Sequence, residues 1–169
     1  MFHDILVAID GSPDAEQALT QAIDLAESEH TRLTLITGVQ KPPPIAYAGL
    51  SGAPLAQIDA SARASAQAVL RRARDRVPKD LPVTTILTDR PIRAAIIDQI
   101  NRGRHDLVMM GSRGRGEIRA VLFGSVSHYV LDHSPAPVLT VRADTHPTTR
   151  HADLSHAIQP PPITTPAAA

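Results

Sequence analysis

The sequence predicts a single α/β domain built on a five-stranded, mostly parallel open sheet. Its 169 residues suit one domain rather than two. Hydrophobic residues make up 43% of the chain but aromatic residues only 2%, so the core must be built from Ala, Val, Ile and Leu. That composition is typical of parallel sheets covered by alanine-rich helices. Short apolar runs also alternate with stretches of helical periodicity, which favours the same architecture.

The first strand and the first helix carry the clearest signals. The run Ile5–Ile9 is continuously apolar, which predicts a strand buried on both faces. Ser12 can cap a following helix, and Pro13 suits its first position. Apolar residues then recur at i, i+3, i+4, i+7, i+8 and i+11 and form one helical face: Ala15, Ala18, Leu19, Ala22, Ile23 and Ala26.

Strands and helices continue to alternate in the rest of the chain. A second strand is predicted from Leu33 to about Val39, and the proline-rich stretch after it, about 40–57, is expected to be a long, exposed and flexible loop. The apolar side of a second helix consists of Ala62, Ala66, Val69, Leu70, Ala73 and Val77. The remaining predicted elements are a strand at Val83–Leu87, a helix at Ile92–Ile100, a strand at Leu107–Met110, a helix from Ser125 to about Asp132 and a last strand at Val138–Val141.

Composition and charge exclude several classes of function. The 17 basic and 17 acidic residues cancel, so no overall field draws the protein to nucleic acid or to an anionic membrane. The arginines of the second helix are interspersed with Asp75, which favours a solvated helix face over an RNA-binding one. The absence of cysteine excludes disulfides, thiolate catalysis and cysteine-based metal sites. The longest opening apolar run, Ile5–Ile9, is too short for a signal sequence or a membrane span, so we expect a soluble cytoplasmic protein.

A change of composition after Arg142 divides the chain into two parts. Residues 1–142 form the predicted domain, and residues 143–169 are a tail rich in proline, threonine and alanine that is expected to be disordered. Three histidines recur at five-residue intervals in the tail: His146, His151 and His156. That spacing places no two of them on one helical face, so we interpret them as incidental rather than as metal ligands.

Glycines and small polar residues follow two of the predicted strands. The first strand ends at Asp10-Gly11-Ser12, the fourth leads into Gly111-Ser112-Arg113-Gly114-Arg115-Gly116, and Gly124-Ser125 begins the next helix. In an open α/β sheet, ligands bind beyond the carboxyl ends of the strands, where the strand order reverses. Glycines let backbone N–H groups approach a phosphate, and a helix N-terminus adds unpaired donors. The pattern therefore predicts an anion cradle, in which the Ser125 hydroxyl can donate and Asp10 can accept from a ribose or amino group or bind a metal through water.

The same residues also have purely structural interpretations. Glycines after a strand often only form tight turns, Ser125 could be a plain N-cap, and Asp10 could cap the first helix or pair with Arg113. Spacing alone does not decide between the two interpretations. Better-known signatures are absent, because the sequence contains no G-x4-G-K-[ST], G-x-G-x-x-G, G-x-S-x-G or H-E-x-x-H pattern.

One longer pattern matches a known family in full. Gly111-x2-Gly114-x9-Gly124-Ser125 resembles the G-x2-G-x9-G-[ST] nucleotide motif of the universal stress protein family. The surrounding residues 106–142 are similar to the family's C-terminal block, and ILVAIDGSPDAEQAL, at residues 5–19, is similar to its first strand and helix. The resemblance covers about residues 1–142, strongly at both ends and weakly in the middle.

This resemblance implies a fold, partners and a site. The implied fold is adenine nucleotide alpha hydrolase-like, with helices on both faces of five parallel strands. The resemblance also implies a homodimer that pairs through the last strand, here about Val138–Val141. Such an apolar edge strand invites pairing, although a covering by the tail is a rival explanation. The motif is that of the ATP-binding branch, so the expected ligand is ATP, with or without Mg²⁺. By position, the resemblance assigns Asp10 and Val39 (through its backbone) to adenine, Met110 and Gly111 to ribose, and Gly114, Gly124, Ser125 and Val126 to the phosphates.

Two departures from the family pattern lie near the expected base. Gly38-Val39 stands where many relatives have His-Val, and Asp89-Arg90-Pro91 stands where relatives often have Gly-x-Pro. The second change brings a carboxylate towards the edge of the nucleotide, which would weaken binding or alter the preferred base.

Three functions are compatible with these residues. The first is a regulatory protein that binds ATP and signals its occupancy through the loop 40–57 to a protein partner. The second is a slow ATPase or phosphotransferase that uses the same cradle. The third is a dimeric interaction module that binds no nucleotide. Catalysis needs a base and a charge clamp on the γ-phosphate. Arg113 and Arg115 could supply the clamp, but the motif contains no base, and we interpret His128 as a surface or interface residue. The intact glycine spacing favours the nucleotide-bound regulatory protein of the stress response, with no catalytic residue assigned.

Overall fold

Five parallel strands form the centre of the molecule, which we describe from a computed structural model. The structure describes residues 2–41, 45, 53–103, 105–114 and 124–143. The strands are β1 (Asp4–Ala8), β2 (Arg32–Gly38), β3 (Val83–Thr88), β4 (Leu107–Gly111) and β5 (Val138–Val141). They form one open sheet in the order β3-β2-β1-β4-β5, and every neighbouring pair is parallel. The predicted five-stranded α/β fold is therefore confirmed.

The described part of the chain also contains four helices. They are α1 (Pro13–Glu29), α2 (Ala53–Arg76), α3 (Ile92–Gly103) and α4 (Ser125–His133). Helix α1 begins as the sequence predicts, because the Ser12 hydroxyl accepts the Ala15 N–H at 3.3 Å and Pro13 takes the first helical position. It ends at Glu29, and the C-cap residue His30 adopts the left-handed conformation with a φ of 56°. None of the helices among the described residues is long and apolar enough to cross a membrane.

Helix α2 begins earlier than the sequence predicts. A loop is expected over about 40–57, but residues 53–57 are helical. Pro54 falls in the first turn, where a missing backbone N–H removes no helical hydrogen bond. The rest of this loop at 42–44 and 46–52, Arg115 of the glycine-rich loop, and residues 144–169 of the predicted tail lie outside the described residues.

The helices cover the sheet in two layers with separate apolar cores. Strand residues that alternate along the chain point to opposite faces of a sheet. Accordingly, Ile5 and Val7 pack in the core formed with α1 and α2, whereas Leu6 packs in the core formed with α3 and α4. All three side chains are fully buried. Two cores of this kind account for the continuously apolar first strand, because both of its faces are covered.

A buried polar cluster joins the strands at their amino-terminal ends. One carboxylate oxygen of Asp4 lies 2.8 Å from Nδ1 of the buried His105 and accepts the Thr34 hydroxyl at 3.2 Å. The other oxygen pairs with Arg32 at 3.0 Å. Because a buried carboxylate is costly unless it is hydrogen-bonded, these contacts are needed where β1, β2 and β4 begin. They hold the end of the sheet that lies opposite the site described next.

The order of the strands reverses at β1. The chain runs outward from β1 through β2 to β3, and then returns to place β4 on the other side of β1. Connections leave β1 and β4 towards opposite faces, which opens a crevice beyond the carboxyl ends of these two strands. The predicted cradle residues lie at this crevice.

Candidate functional site

A cleft of about 1880 Å³ lies at the carboxyl ends of the strands. Its walls come from the ends of β1, β2 and β4, one side of α2, the turn before α3 with the first turns of that helix, and the start of α4. The structure brings together all eight residues that the sequence singled out: Asp10, Val39, Met110, Gly111, Gly114, Gly124, Ser125 and Val126. Small-molecule pockets usually measure roughly 300–1,000 Å³, so a nucleotide would fill only part of this cleft.

The turn after β1 presents the carboxylate of Asp10 to the loop after β4. Gly11 has a φ of 77°, which turns the chain sharply. One carboxylate oxygen of Asp10 accepts the Ser12 N–H at 2.9 Å, which fixes the side chain. A Cβ atom added to Gly114 would lie 2.8 Å from the other oxygen. Glycine at position 114 therefore allows the Asp10 carboxylate to approach the backbone of that loop.

A second carboxylate, Asp14, ties together the three segments around the cradle. Its side chain is buried and accepts hydrogen bonds from the Ser112 hydroxyl at 2.8 Å and the Arg113 N–H at 3.1 Å. It also accepts the Ala143 N–H at 3.0 Å, and Nε of Arg113 lies 3.4 Å away. The start of α1, the loop after β4 and the chain after β5 thus meet at one side chain. The ion pair of Arg113 is with Asp14, not with Asp10 as one structural interpretation of the sequence had it.

The environment of Asp14 favours its charged form. Burial of the carboxylate raises its pKa, but the hydrogen bonds from the Ala143 N–H, from Ser112 and from Arg113 together outweigh burial. The net effect lowers the pKa of Asp14 below its ordinary value. The carboxylate is therefore a fixed negative charge at neutral pH that organises the backbone of the glycine loop.

Sequence reasoning did not identify Asp14 as part of the site. A signal was available, because Asp14 precedes Ala18 and Ala22 at intervals of four residues and so lies on the buried stripe of α1. An acidic residue on a buried stripe must find donors, and residues in the first turn of a helix are close to the neighbouring loops. The sequence alone does not reveal which loop supplies those donors.

The start of α4 is held against the same loop. The Gly124 N–H donates to the Ser112 carbonyl at 2.9 Å, and the buried Ser127 hydroxyl donates to the same carbonyl at 2.8 Å. Gly124 is the N-cap and Ser125 is the first helical residue, so the interpretation of Ser125 as a plain N-cap is wrong. The Ser125 side chain is exposed at the cleft instead.

Gly111 and Gly124 differ in whether a side chain would fit at their positions. A Cβ atom on Gly111 would lie 2.7 Å from the backbone nitrogen of Ala15, so glycine is required there for α1 to pack against β4. A Cβ atom on Gly124 would lie 3.5 Å from the Gly114 nitrogen, which is ordinary contact, and its φ of −69° suits any residue. Neither packing nor backbone geometry in the described part of the protein therefore requires glycine at position 124.

The far end of the cleft carries the departures from the family pattern. The Val39 N–H donates to the Thr88 carbonyl at 2.9 Å, so a backbone contact from Val39 to a ligand would use its carbonyl. The carboxylate of Asp89 accepts hydrogen bonds from Arg63 of α2, at 2.7 and 2.6 Å. Both side chains are about half exposed. The extra carboxylate is therefore paired with a cation at the rim of the cleft.

Two further groups at the cleft bear on catalysis. Arg113 lines the cleft with a partly exposed side chain, whereas Arg115 lies outside the described residues. His128, interpreted from the sequence as a surface or interface residue, is exposed and also lines the cleft. Its Nδ1 atom lies 3.0 Å from the carboxylate of Asp132. Across the ranges that the structure describes, no group of three or more His, Asp or Glu residues is arranged to hold a metal ion.

Solved structures of other proteins share this fold. The universal stress protein UspA of Lactobacillus plantarum has a TM-score of 0.69 at 24% identity, covering 83% of this chain and 98% of that one. A universal stress protein in complex with cAMP has a TM-score of 0.51 at 22% identity, covering 85% of this chain and 98% of that one. An Arabidopsis thaliana family protein with AMP bound has a TM-score of 0.62 at 17% identity, covering 85% and 93%.

Sequence comparison identifies the family. A universal stress protein of Mycobacterium tuberculosis is 32% identical over 139 residues, which cover 82% of this chain and 45% of that relative, so the chain spans about half its length. A universal stress protein of Thermus aquaticus is 31% identical over 145 residues, covering 84% of this chain and 100% of the relative. The family model for universal stress proteins matches residues 1–142. With this match over most of its length, the chain belongs to the universal stress protein family.

Proposed function

We propose that the chain is an ATP-binding regulatory protein of the stress response, whose nucleotide occupancy is read by a protein partner. The observation that carries this proposal is Gly124. The described protein does not need glycine there for packing or for backbone geometry, yet a side chain would fill the space between the glycine loop and α4. A ligand that approaches the start of α4 closely would need that space.

The start of α4 has the properties of a phosphate site. The first N–H groups of a helix lack intrahelical partners and carry the positive end of the helix dipole. In α4 these groups belong to Ser125, Val126 and Ser127. The exposed Ser125 hydroxyl adds a donor, and Asp14 and Ser127 fix the loop opposite. We expect Gly114, Gly124, Ser125 and Val126 to surround the phosphates, with little rearrangement needed when the ligand arrives.

The cleft also offers hydrogen-bond acceptors for an amino-substituted base. The Asp10 carboxylate and the Val39 carbonyl are both hydrogen-bond acceptors, and both line the cleft. An exocyclic amino group, such as that of adenine, supplies donors for acceptors of this kind. Met110 and Gly111 lie at the end of β4, where we expect the ribose. The AMP and cAMP named for two solved relatives support an adenine nucleotide as the ligand class.

We expect Mg²⁺ to enter with ATP rather than to occupy a site of its own. Mg²⁺ is commonly held by one or two carboxylates together with substrate phosphates. We place this activity in the cytoplasm.

We further propose that two copies of the chain pair through β5. This strand lies at the edge of the sheet, and Leu139 is 43% exposed. An apolar edge strand is a template for pairing, and antiparallel pairing of two β5 strands would cover both edges with two-fold symmetry.

Calorimetric titration of ATP into Gly124→Val tests the nucleotide site. The larger side chain should abolish binding while the melting temperature of the free protein stays close to that of the wild type. Ala60→Val is a matched control, because it adds bulk at an exposed position of α2 outside the cleft. ATP should raise the melting temperature of the wild type and of this control. Normal ATP binding by Gly124→Val would refute the phosphate assignment.

A further inference from the structure

We propose that His128 and Asp132 form a general-base pair through which the chain slowly hydrolyses the terminal phosphate bond of ATP. This inference rests on the proposed function, because the pair can act only on a nucleotide bound in the cleft. The observation behind it is a histidine that lines the cleft and is held by a carboxylate.

Helix α4 places the pair next to the proposed phosphate site. Ser125, His128 and Asp132 are separated by three and four residues, so they follow one face of the helix. The His128 N–H donates to the Gly124 carbonyl at 3.0 Å, which places the histidine one helical turn from the N-cap. One turn spans about 5.4 Å along the axis, within reach of an imidazole side chain. Both Ser125 and His128 line the cleft.

Asp132 determines which imidazole nitrogen can act as a base. The distance from His128 Nδ1 to the Asp132 carboxylate is 3.0 Å. A carboxylate at this nitrogen favours the tautomer with the proton on Nδ1 and leaves the lone pair on Nε2. The His128 side chain is 70% exposed, so water can reach Nε2. Asp132 is therefore a positioning residue, and Nε2 of His128 is the base.

A simpler interpretation is an ordinary surface pair between residues i and i+4. Exposed ion pairs of this kind contribute little to stability. The two interpretations differ in what they predict, because a surface pair would have no effect on a nucleotide bound in the cleft. His133 offers a comparison on the same helix, since it is also exposed but does not line the cleft.

The proposed step is the attack of a water molecule on the terminal phosphorus. The water oxygen forms a bond to this phosphorus while the bond from the phosphorus to its bridging oxygen breaks, and ADP leaves with that electron pair. The water proton passes to Nε2 of His128 and is then released to solvent, so the products are ADP, inorganic phosphate and a proton. Arg113 lines the cleft in the loop after β4 and supplies a positive charge that can stabilise the phosphate oxygens.

Single-turnover release of phosphate from ATP tests this step. His128→Gln should lower the rate about 100-fold or more, the usual contribution of a general base, with ATP affinity unchanged within about twofold. Asp132→Asn should lower the rate less, because it leaves the base in place but removes the carboxylate that positions it. His133→Gln should match the wild type. An unchanged rate in His128→Gln, or no hydrolysis by ATP-bound wild type, would refute the inference.

Nitrogen-15 NMR of the histidine side chains provides a readout that is independent of turnover. The Nδ1–H tautomer should dominate at His128 in the wild type and be depleted in Asp132→Asn. A non-hydrolysable ATP analogue should shift the His128 resonances but not those of His133. If the analogue binds without affecting His128, the inference fails and the proposed function stands. If neither ATP nor the analogue binds at all, both fail.

Discussion

Replacement of Asp14 should weaken both the fold and the nucleotide cradle. Its buried carboxylate accepts hydrogen bonds from Ser112, Arg113 and Ala143, which belong to two segments far away in sequence. In Asp14→Asn the charge is lost, and one of the two oxygens becomes an NH₂ group that faces donors. The variant keeps the size of the side chain, so its effect reports on charge and hydrogen bonding rather than on a cavity.

The expected loss of unfolding free energy in Asp14→Asn follows from the type of hydrogen bond that is removed. A hydrogen bond to a charged group contributes roughly 1.5–3 kcal/mol, and breaking a buried ion pair costs roughly 3–5 kcal/mol. The contributions of neighbouring bonds do not add fully, and the partly exposed Arg113 can turn to water. We therefore expect Asp14→Asn to lower the free energy of unfolding by about 3 kcal/mol at neutral pH. That is a large part of the roughly 5–15 kcal/mol of a typical domain.

The pH dependence of this loss has a definite sign. The native contacts lower the pKa of Asp14, so its stabilising effect is fully present above the ordinary carboxyl pKa of about 4. The effect is lost as the pH falls through the lower, native pKa. The difference between the wild type and Asp14→Asn should therefore be largest at neutral pH and should shrink below about pH 4.

Urea unfolding at pH 7 and at about pH 3 measures both effects. Asp24→Asn is a matched control, because Asp24 is an exposed residue of the same helix, and it should change the unfolding free energy by less than about 0.5 kcal/mol. Asp14→Asn should also bind ATP more weakly than the control does. If the unfolding midpoint of Asp14→Asn equals that of the wild type at pH 7, the structural role assigned to Asp14 is wrong.

Three further changes test other parts of the structure. Gly111→Ala would place a methyl group 2.7 Å from the Ala15 nitrogen, so we expect about 1–3 kcal/mol of destabilisation, and an unchanged melting temperature would contradict this close packing. The exposed pair of Arg63 and Asp89 should show a coupling of at most about 1 kcal/mol that falls with added salt, as measured by a double-mutant cycle of unfolding. Leu139→Lys should convert the proposed dimer into a monomer in light scattering, and an unchanged mass would refute pairing through β5.

Much of the fold could be predicted because its signals are local. The last strand lies at Val138–Val141 as predicted, and the other strands agree with their predicted ranges to within about one residue at each end. Apolar runs determine buried strands, and the capping residues of α1 lie next to each other in the sequence. The start of α2 was missed because proline and glycine were taken to exclude helix, whereas a first turn accepts proline.

The clustering of the site could also be predicted, but its internal contacts could not. The rule that ligands bind where strand order reverses brings the ends of β1 and β4 together, and the family resemblance supplied the remaining positions. The hydrogen bonds of Asp14 join residues 98, 99 and 129 positions apart, so no local pattern specifies them. His128 is a surface residue, as the sequence predicts, but the sequence gives only its helical face and not the cleft beside that face.

The three glycines of the motif do not carry equal weight as signs of a ligand. Gly111 is required by the packing of α1, because a Cβ atom there would meet the backbone, so it would be retained in a protein that binds nothing. A Cβ atom on Gly114 would meet only the end of the Asp10 side chain, and one on Gly124 would make ordinary contacts among the described residues. A match to the glycine motif does not distinguish a glycine that packing requires from one that a ligand requires. A family member that keeps the first two glycines but has a larger residue at the third should therefore retain the fold and lose the nucleotide, so the third position separates binding from structure.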